Sequence, residues 1–227
     1  MRFRSALLPA LFVGAALVAP AALQKGGLRP TRFPDGTGSI GLPAGWDIES
    51  ANRGQVQVGN GKGDLLVLGM PWAVLRPGQL PGLSTETVAN ARTGDLRTAL
   101  AQVLAKNTGS RLLSVRGRPA PSAQRGTPAA FLLYEFSSNG QVFTGLGYFA
   151  TLDYGPSSPS WQLYSSAVIA PKARFTKSLP TMMAIWRSWK TNGADPLRGS
   201  QSEQLDKILQ GRRDSYQKIQ EQFRERL

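Results

Sequence analysis

Neither histidine nor cysteine occurs among the 227 residues. Without histidine there is no Ser-His-Asp or related triad, no His-ligated zinc and no ordinary general base near neutral pH. Without cysteine there is no thiol catalysis, no Cys-rich metal site, no disulfide framework and no lipobox residue to carry a lipid anchor. Acids are scarce as well: 14 Asp and Glu stand against 27 Lys and Arg, for a formal net charge of +13. No N-x-Ser/Thr sequon appears. The longest apolar run, Ala6 to Val18, falls short of the ~20 residues a membrane-spanning helix needs and contains Pro9.

That run is informative in another way. Arg2 and Arg4 precede it and Ala19-Pro20-Ala21 follows it, which is the order of a charged n-region, an apolar h-region and a small-x-small cleavage site. Residues 1–21 therefore read as a secretory signal peptide, with the mature chain expected to begin near Ala22 and an uncleaved anchor as the alternative. The expected location is exported, periplasmic or extracellular, and bacterial in style. The remaining residues suffice for one domain, 22–190, a linker at 191–199 and an appended segment at 200–227.

The basic residues are unevenly placed. Residues 96–134 hold Arg97, Lys106, Arg111, Arg116, Arg118 and Arg125 without one acid, and residues 154–194 hold Lys172, Arg174, Lys177, Arg187 and Lys190 likewise. Such runs attract an acidic protein, an anionic wall polymer or an anionic membrane surface; the plain alternative is a solvated basic surface. Arg111, Arg116, Arg118 and Arg125 are the candidate binding residues. Nucleic acid is a poor partner for an exported chain with no nucleic-acid motif.

Short strands and glycine turns fill Ser39 to Val74, with alternation in Gln55-Val56-Gln57-Val58 and a continuous apolar run at Leu65 to Leu68. After the Pro- and Gly-rich stretch 76–84, apolar spacing predicts a helix from about Thr85 to Lys106, carrying Val88, Leu96, Ala99, Leu100, Val103 and Leu104, with Gly94 able to split it and Gly109 to end it. Asn139-Gly140 between two apolar runs predicts a hairpin. Folding there pairs Phe136 with Phe143, Tyr134 with Gly145 and Leu132 with Gly147 on one face, and Phe131 with Tyr148 and Leu133 with Leu146 on the other. Both faces are apolar, so the sheet should be covered on both sides, with the ring of Tyr134 over Gly145. A strand at WQLYSSAVIA follows, then a helix capped by Ser178, with Pro180 in its first turn and Leu179, Met182, Met183, Trp186 and Trp189 as its core stripe.

In the last segment, Ser200-x-x-Glu203 reads as a capping box. Leu205, Leu209, Tyr216, Ile219, Phe223 and Leu227 then predict an amphipathic helix with six basic and five acidic residues, suited to a partner helix or to the domain itself. Ser215-Tyr216-Gln217-Lys218 matches S-x-x-K but lacks its S-D-N and K-T-G companions, so chance accounts for it.

The stretch GTGSIG at 36–41 matches G-x-G-x-x-G, yet Leu42-Pro43-Ala44-Gly45-Trp46 follows it and cannot open a helix. With no helix amides to meet a phosphate it predicts a turn, and no cofactor. The phrase Ile40-x-Leu42-Pro43-x-Gly45-Trp46, followed by strands, a helix, a long antiparallel hairpin set and Met182-x-x-Ile185-x-x-Ser188-Trp189, resembles the PsbP/Mog1-like superfamily over residues 33–190. The resemblance implies an α+β fold with an antiparallel sheet between helices, an α/β/α sandwich, and an accessory or binding role; it carries over no metal or ligand residue. The segment at 200–227 departs from that minimal pattern.

Three acids bear on an enzymatic alternative, a cell-envelope hydrolase. Asp47 and Glu49 lie two apart, hence about 7 Å apart on one strand face, a separation compatible with paired-carboxylate glycoside chemistry or with the wet face of an edge strand. Glu135 has apolar neighbours and should pair with a base, Arg111 or Arg116, if its face is covered. The leading expectation is a secreted or periplasmic non-enzymatic binding or assembly module of unknown ligand, using its basic faces and the terminal helix at 200–227.

Overall fold

The computed structural model describes residues 27–79, 87–122 and 124–192, with the backbone alone for Thr87 and Val88. The expected signal peptide and the helix at 200–227 lie outside the described residues. In chain order the elements are β1 (Arg29–Arg32), β2 (Gly38–Leu42), β3 (Asp47–Asn52), β4 (Gln55–Gly59), β5 (Leu65–Leu75), β6 (Thr87–Asn90), α1 (Leu96–Thr108), β7 (Arg111–Pro119), β8 (Ala129–Ser138), β9 (Gln141–Asp153), β10 (Ser160–Pro171), α2 (Phe175–Ser188) and β11 (Lys190–Thr191). The larger sheet runs β3-β4-β5-β10-β9-β8-β7, with β6 added parallel to the far half of β5. Apart from β6 its pairs are antiparallel. A small sheet, β1-β2-β11, joins both ends of the described chain.

Asn139 and Gly140 take positive φ, 49° and 76°, as a tight two-residue hairpin turn requires. The turn sets β8 against β9 with the five pairs read from the sequence. The two faces then separate two cores. On one side Leu132, Tyr134, Phe136, Phe149, Trp161 and Leu163 pack with Leu96, Ala99, Leu100, Val103 and Leu104 of α1. On the other, Val56, Val58, Leu66, Leu68, Tyr148 and Val168 pack with Leu179, Met182, Met183, Ile185 and Trp186 of α2 and with Ile40, Leu42 and Trp46. Burying apolar area on both faces of one sheet is what gives the α+β sandwich its stability.

Two helix starts differ from expectation. Residues 87–90 form a strand, not the first turns of a helix: Thr87 and Ala89 pair with Ala73 and Val74 of β5. Gly94, at φ 82°, breaks the chain, and Asp95 caps α1 by accepting from Thr98 N at 3.0 Å. Gly109 ends that helix in the left-handed conformation at φ 62°. Helix α2 begins at Phe175, so Ser178 is inside it, its N–H donating to Arg174 O and its hydroxyl to Asp64 Oδ2 at 2.9 Å. Pro180 therefore sits past the first turn, where its missing N–H leaves Thr176 O without the usual helical donor.

The two halves of the PsbP/Mog1-like phrase meet in space. Gly41 N donates to Ser188 Oγ at 2.7 Å, and Ser188 Oγ donates to Ile185 O at 2.6 Å. Trp189 is buried, its indole N–H donating to Gly54 O at 3.2 Å. Beyond it Lys190 and Thr191 pair with Ser39 and Gly38.

Candidate binding face

Asp35 Oδ1 accepts from Thr37 N at 3.0 Å and from Thr37 Oγ1 at 2.7 Å; Asp35 Oδ2 accepts from Arg53 N, and Thr37 Oγ1 from Gly54 N, each at 2.6 Å. Residues 35–38 are thus a side-chain-braced turn clamped to the β3–β4 hairpin, with Gly36 at φ 71°. No helix starts here, as the sequence indicated. The bonds from Thr37, then that from Arg53, hold the Asp35 carboxyl below its ordinary range.

The candidate arginines belong to β7, which ends the larger sheet. Their grouping comes from a bulge. Leu112 lies opposite Phe136 and Ser114 opposite Glu135, leaving Leu113 as an extra residue; it projects into solvent at 42% exposure. Below the bulge Arg111 faces Ser137; above it Arg116 faces Leu133 and Arg118 faces Phe131. Residues directly opposite in an antiparallel pair share a face, so all three arginines project from the α2 side of the sheet. Helix α2 packs on β10, β5 and β2, leaving Phe131 and Leu133 half-buried between it and the arginines. Arg111, Arg116 and Arg118 are exposed and have no ion-pair partner among the described residues.

Arg125 is placed apart from them, exposed in the β7–β8 loop. Its neighbour Gln124 ties that loop to the end of β9, donating to Asp153 O at 2.7 Å and accepting from Asp153 N at 2.8 Å. Lys177 and Arg187, exposed on α2, add charge to the same side of the sheet as the β7 arginines.

Glu135 pairs with neither arginine expected of it. Lys172 Nζ lies 3.0 Å from Glu135 Oε1, and the Glu135 side chain is 26% exposed. Ser114 stands opposite Glu135, and Arg111 and Arg116 face its neighbours on that strand face, Ser137 and Leu133. Lys172, just after β10, is anchored by its own N–H donating to Val142 O at 2.9 Å and reaches Glu135 across β9. Its place in an acid-free run was the available sequence signal. An exposed pair of this kind contributes about 0–1 kcal/mol.

Asp47 and Glu49 are exposed on the opposite edge strand, β3. Glu49 falls on a bulge and accepts from Gln57 Nε2 at 2.6 Å. The more buried acid is Asp64, at 6% exposure, which accepts from Arg174 Nη2, from Ser178 Oγ and from Asn60 Nδ2 at 2.8 Å. Arg174 and Ser178 join the β4–β5 turn to the start of α2 while Asn60 braces the turn itself, so the network positions a helix. The sequence reading missed it, although Ser178 and Arg174 were both in view.

No protein-family profile matches the chain, and no curated protein matches it in sequence. Among solved structures it is similar to LpqN, involved in cell envelope biogenesis of Mycobacterium tuberculosis, with 13% identity over 69% of this chain and 86% of that one, at a TM-score of 0.33. It is also similar to the cyanobacterial PsbP (CyanoP) from Synechocystis sp. PCC 6803, with 13% identity over 77% of this chain and 98% of that one, at a TM-score of 0.36. Scores this low carry no argument about role. Among the described residues no helix is long and apolar enough to cross a membrane.

Proposed function

We propose that the chain is an exported, non-enzymatic binding or assembly module that holds a polyanionic partner on the α2 side of β7. One observation carries this reading: Arg111, Arg116 and Arg118 share one face of an edge strand, exposed, beside half-buried Phe131 and Leu133, with no acid paired to any of them among the described residues. Arginines placed to guard a sheet edge from aggregation are the plain alternative. A guard needs no partner, whereas a binding face does, and the net charge of +13 draws an anionic one from a distance. The signal-like residues 1–21 support export.

The test is titration of labelled polyglutamate, anionic vesicles and wall polymer into the purified protein at rising salt. Attraction to exposed arginines weakens as the Debye length shrinks below ~8 Å. Arg116→Gln with Arg118→Gln should reduce binding several-fold and leave the melting temperature nearly unchanged, because neither side chain is in an ion pair among the described residues. Binding indifferent to salt and to both substitutions excludes this face.

A further inference from the structure

The outer edge of β7 has no strand beside it among the described residues. Ala120 N donates to Ala129 O at 2.9 Å. By the alternation of an antiparallel ladder, Arg118, Arg116 and Ser114 then turn their backbone groups toward β8, and Val115 and Gly117 turn N–H and C=O outward. Open backbone groups therefore alternate along the edge with two arginines.

Building on the binding reading above, we propose that this edge takes up an extended segment of an acidic partner protein as a further strand, with acids at alternate positions opposite Arg116 and Arg118 and apolar residues between them. Strand addition makes 116 and 118 the non-hydrogen-bonded positions of the new pair, where Cα atoms approach to about 4.5 Å and side chains are closest. The intervening partner residues bond to Val115 and Gly117 and point to the α1 side. There Val115 is half-buried against the α1 core, Gly117 presents no side chain, and a Cβ built on Gly117 would lie 2.8 Å from a Leu132 methyl. That shelf is apolar, so the segment must alternate acid with apolar residues, as strand periodicity allows.

Other occupants fit less well. Outside the described residues no two acids of this chain stand two apart, so its own termini lack the required pattern. Two copies joined β7 to β7 would set arginines against arginines. Joining β7 to the acidic β3 of another copy meets the repulsion between two strongly basic molecules, and Glu49 is already engaged by Gln57.

The probes are a capped nonapeptide of alternating Val and Glu and a second peptide of the same composition with its Glu residues contiguous. By fluorescence anisotropy the alternating peptide should bind roughly tenfold more tightly, the worth of one or two net backbone hydrogen bonds. Arg116→Gln with Arg118→Gln should abolish that preference. N-methylation tests the backbone without altering the protein: methylating Val amides should cost roughly tenfold and methylating Glu amides little for antiparallel addition, with the pattern reversed for parallel addition. Equal loss from both sets, or equal binding of the two peptides, overturns strand addition while leaving the polyanion reading intact if polyglutamate still binds. Failure of polyglutamate and both peptides removes both. Concentration-dependent dimers without peptide, seen by ultracentrifugation, would make a second copy the occupant and overturn the proposal.

Discussion

Gly145→Ala should destabilise the protein although alanine is the better strand residue. A Cβ at 145 would lie 2.6 Å from the Tyr134 hydroxyl oxygen and 2.7 Å from its Cε1, where ordinary contact begins at 3.4 Å. Tyr134 Cζ would lie closer still, so the ring would have to retreat by more than about 0.8 Å, the difference between 2.6 and 3.4 Å. It has little room: Tyr134 is 2% exposed, stacked on Phe136 at 6.0 Å between centroids and edge-on to Phe149 at 5.8 Å. Overpacking of a closed core costs about 1–3 kcal/mol, against a gain of about 0.5–1 kcal/mol from replacing a strand glycine. The expected net loss is about 1–2 kcal/mol, read as a lower urea midpoint with the slope unchanged. In a Tyr134→Leu background the obstructing ring atoms are gone, and the same Gly145→Ala change should become neutral or stabilising. The cycle should therefore show a coupling of about 1–3 kcal/mol. A Gly145→Ala effect of the same sign and size in both backgrounds would refute the ring contact as its cause.

The Tyr134 phenol, whose pKa burial raises above its ordinary 10.0, stays protonated in the fold while the unfolded chain ionises. Stability should be fully present below about pH 10 and fall as pH rises further; Tyr134→Phe should flatten that alkaline limb in denaturant titrations, and an unchanged limb counts against the assignment. Asp35, held low by Thr37 and Arg53, contributes stability that is present above its ordinary 3.8 and lost as pH falls through its lowered value. Asp35→Asn should therefore reduce the acid-side pH dependence of the melting temperature, and an unaltered profile would show that the turn does not depend on the carboxylate. Asp64→Ala leaves Ser178 without its acceptor and Arg174 with only Lys62 O, and should cost about 2–3 kcal/mol, below the 3–5 kcal/mol of fully buried pairs because Arg174 can rehydrate. A loss under about 0.5 kcal/mol, the scale of ordinary surface changes, would mean that the network does not hold α2.

What was legible in the sequence was local. Asn139-Gly140 demands positive φ at two successive positions, and that fixed the hairpin register and the two faces of β8 and β9 together. What was not legible depended on distant partners. Residues 87–90 continue the apolar spacing of α1, but β5 outruns β4 and offers Ala73 to Leu75 as an open edge, and pairing with it outweighs helix propensity. Likewise Ser178 carries the signature of a helix cap, yet the buried carboxylate of Asp64, 114 residues away in sequence, takes its hydroxyl, and α2 starts a turn earlier at Phe175.

The arginine face shows the same division more sharply. Positions 116 and 118 share a face in any strand, but 111 and 116 are an odd number apart and in a regular strand would point to opposite sides. The extra residue at Leu113 changes the parity and brings Arg111 round to the side of Arg116 and Arg118. Nothing in RLLSVRGRP marks Leu113 as the bulge. Its position follows from how Leu112 and Val115 both seat against the α1 core while Phe136 and Tyr134 are successive residues of that face on β8. The same slip puts Ser114 in place of Leu113 opposite Glu135, an acid that pairs with Lys172 across β9. One irregularity of the backbone thus gathers three cations on one face, and their grouping there is set by packing on the other face of the sheet.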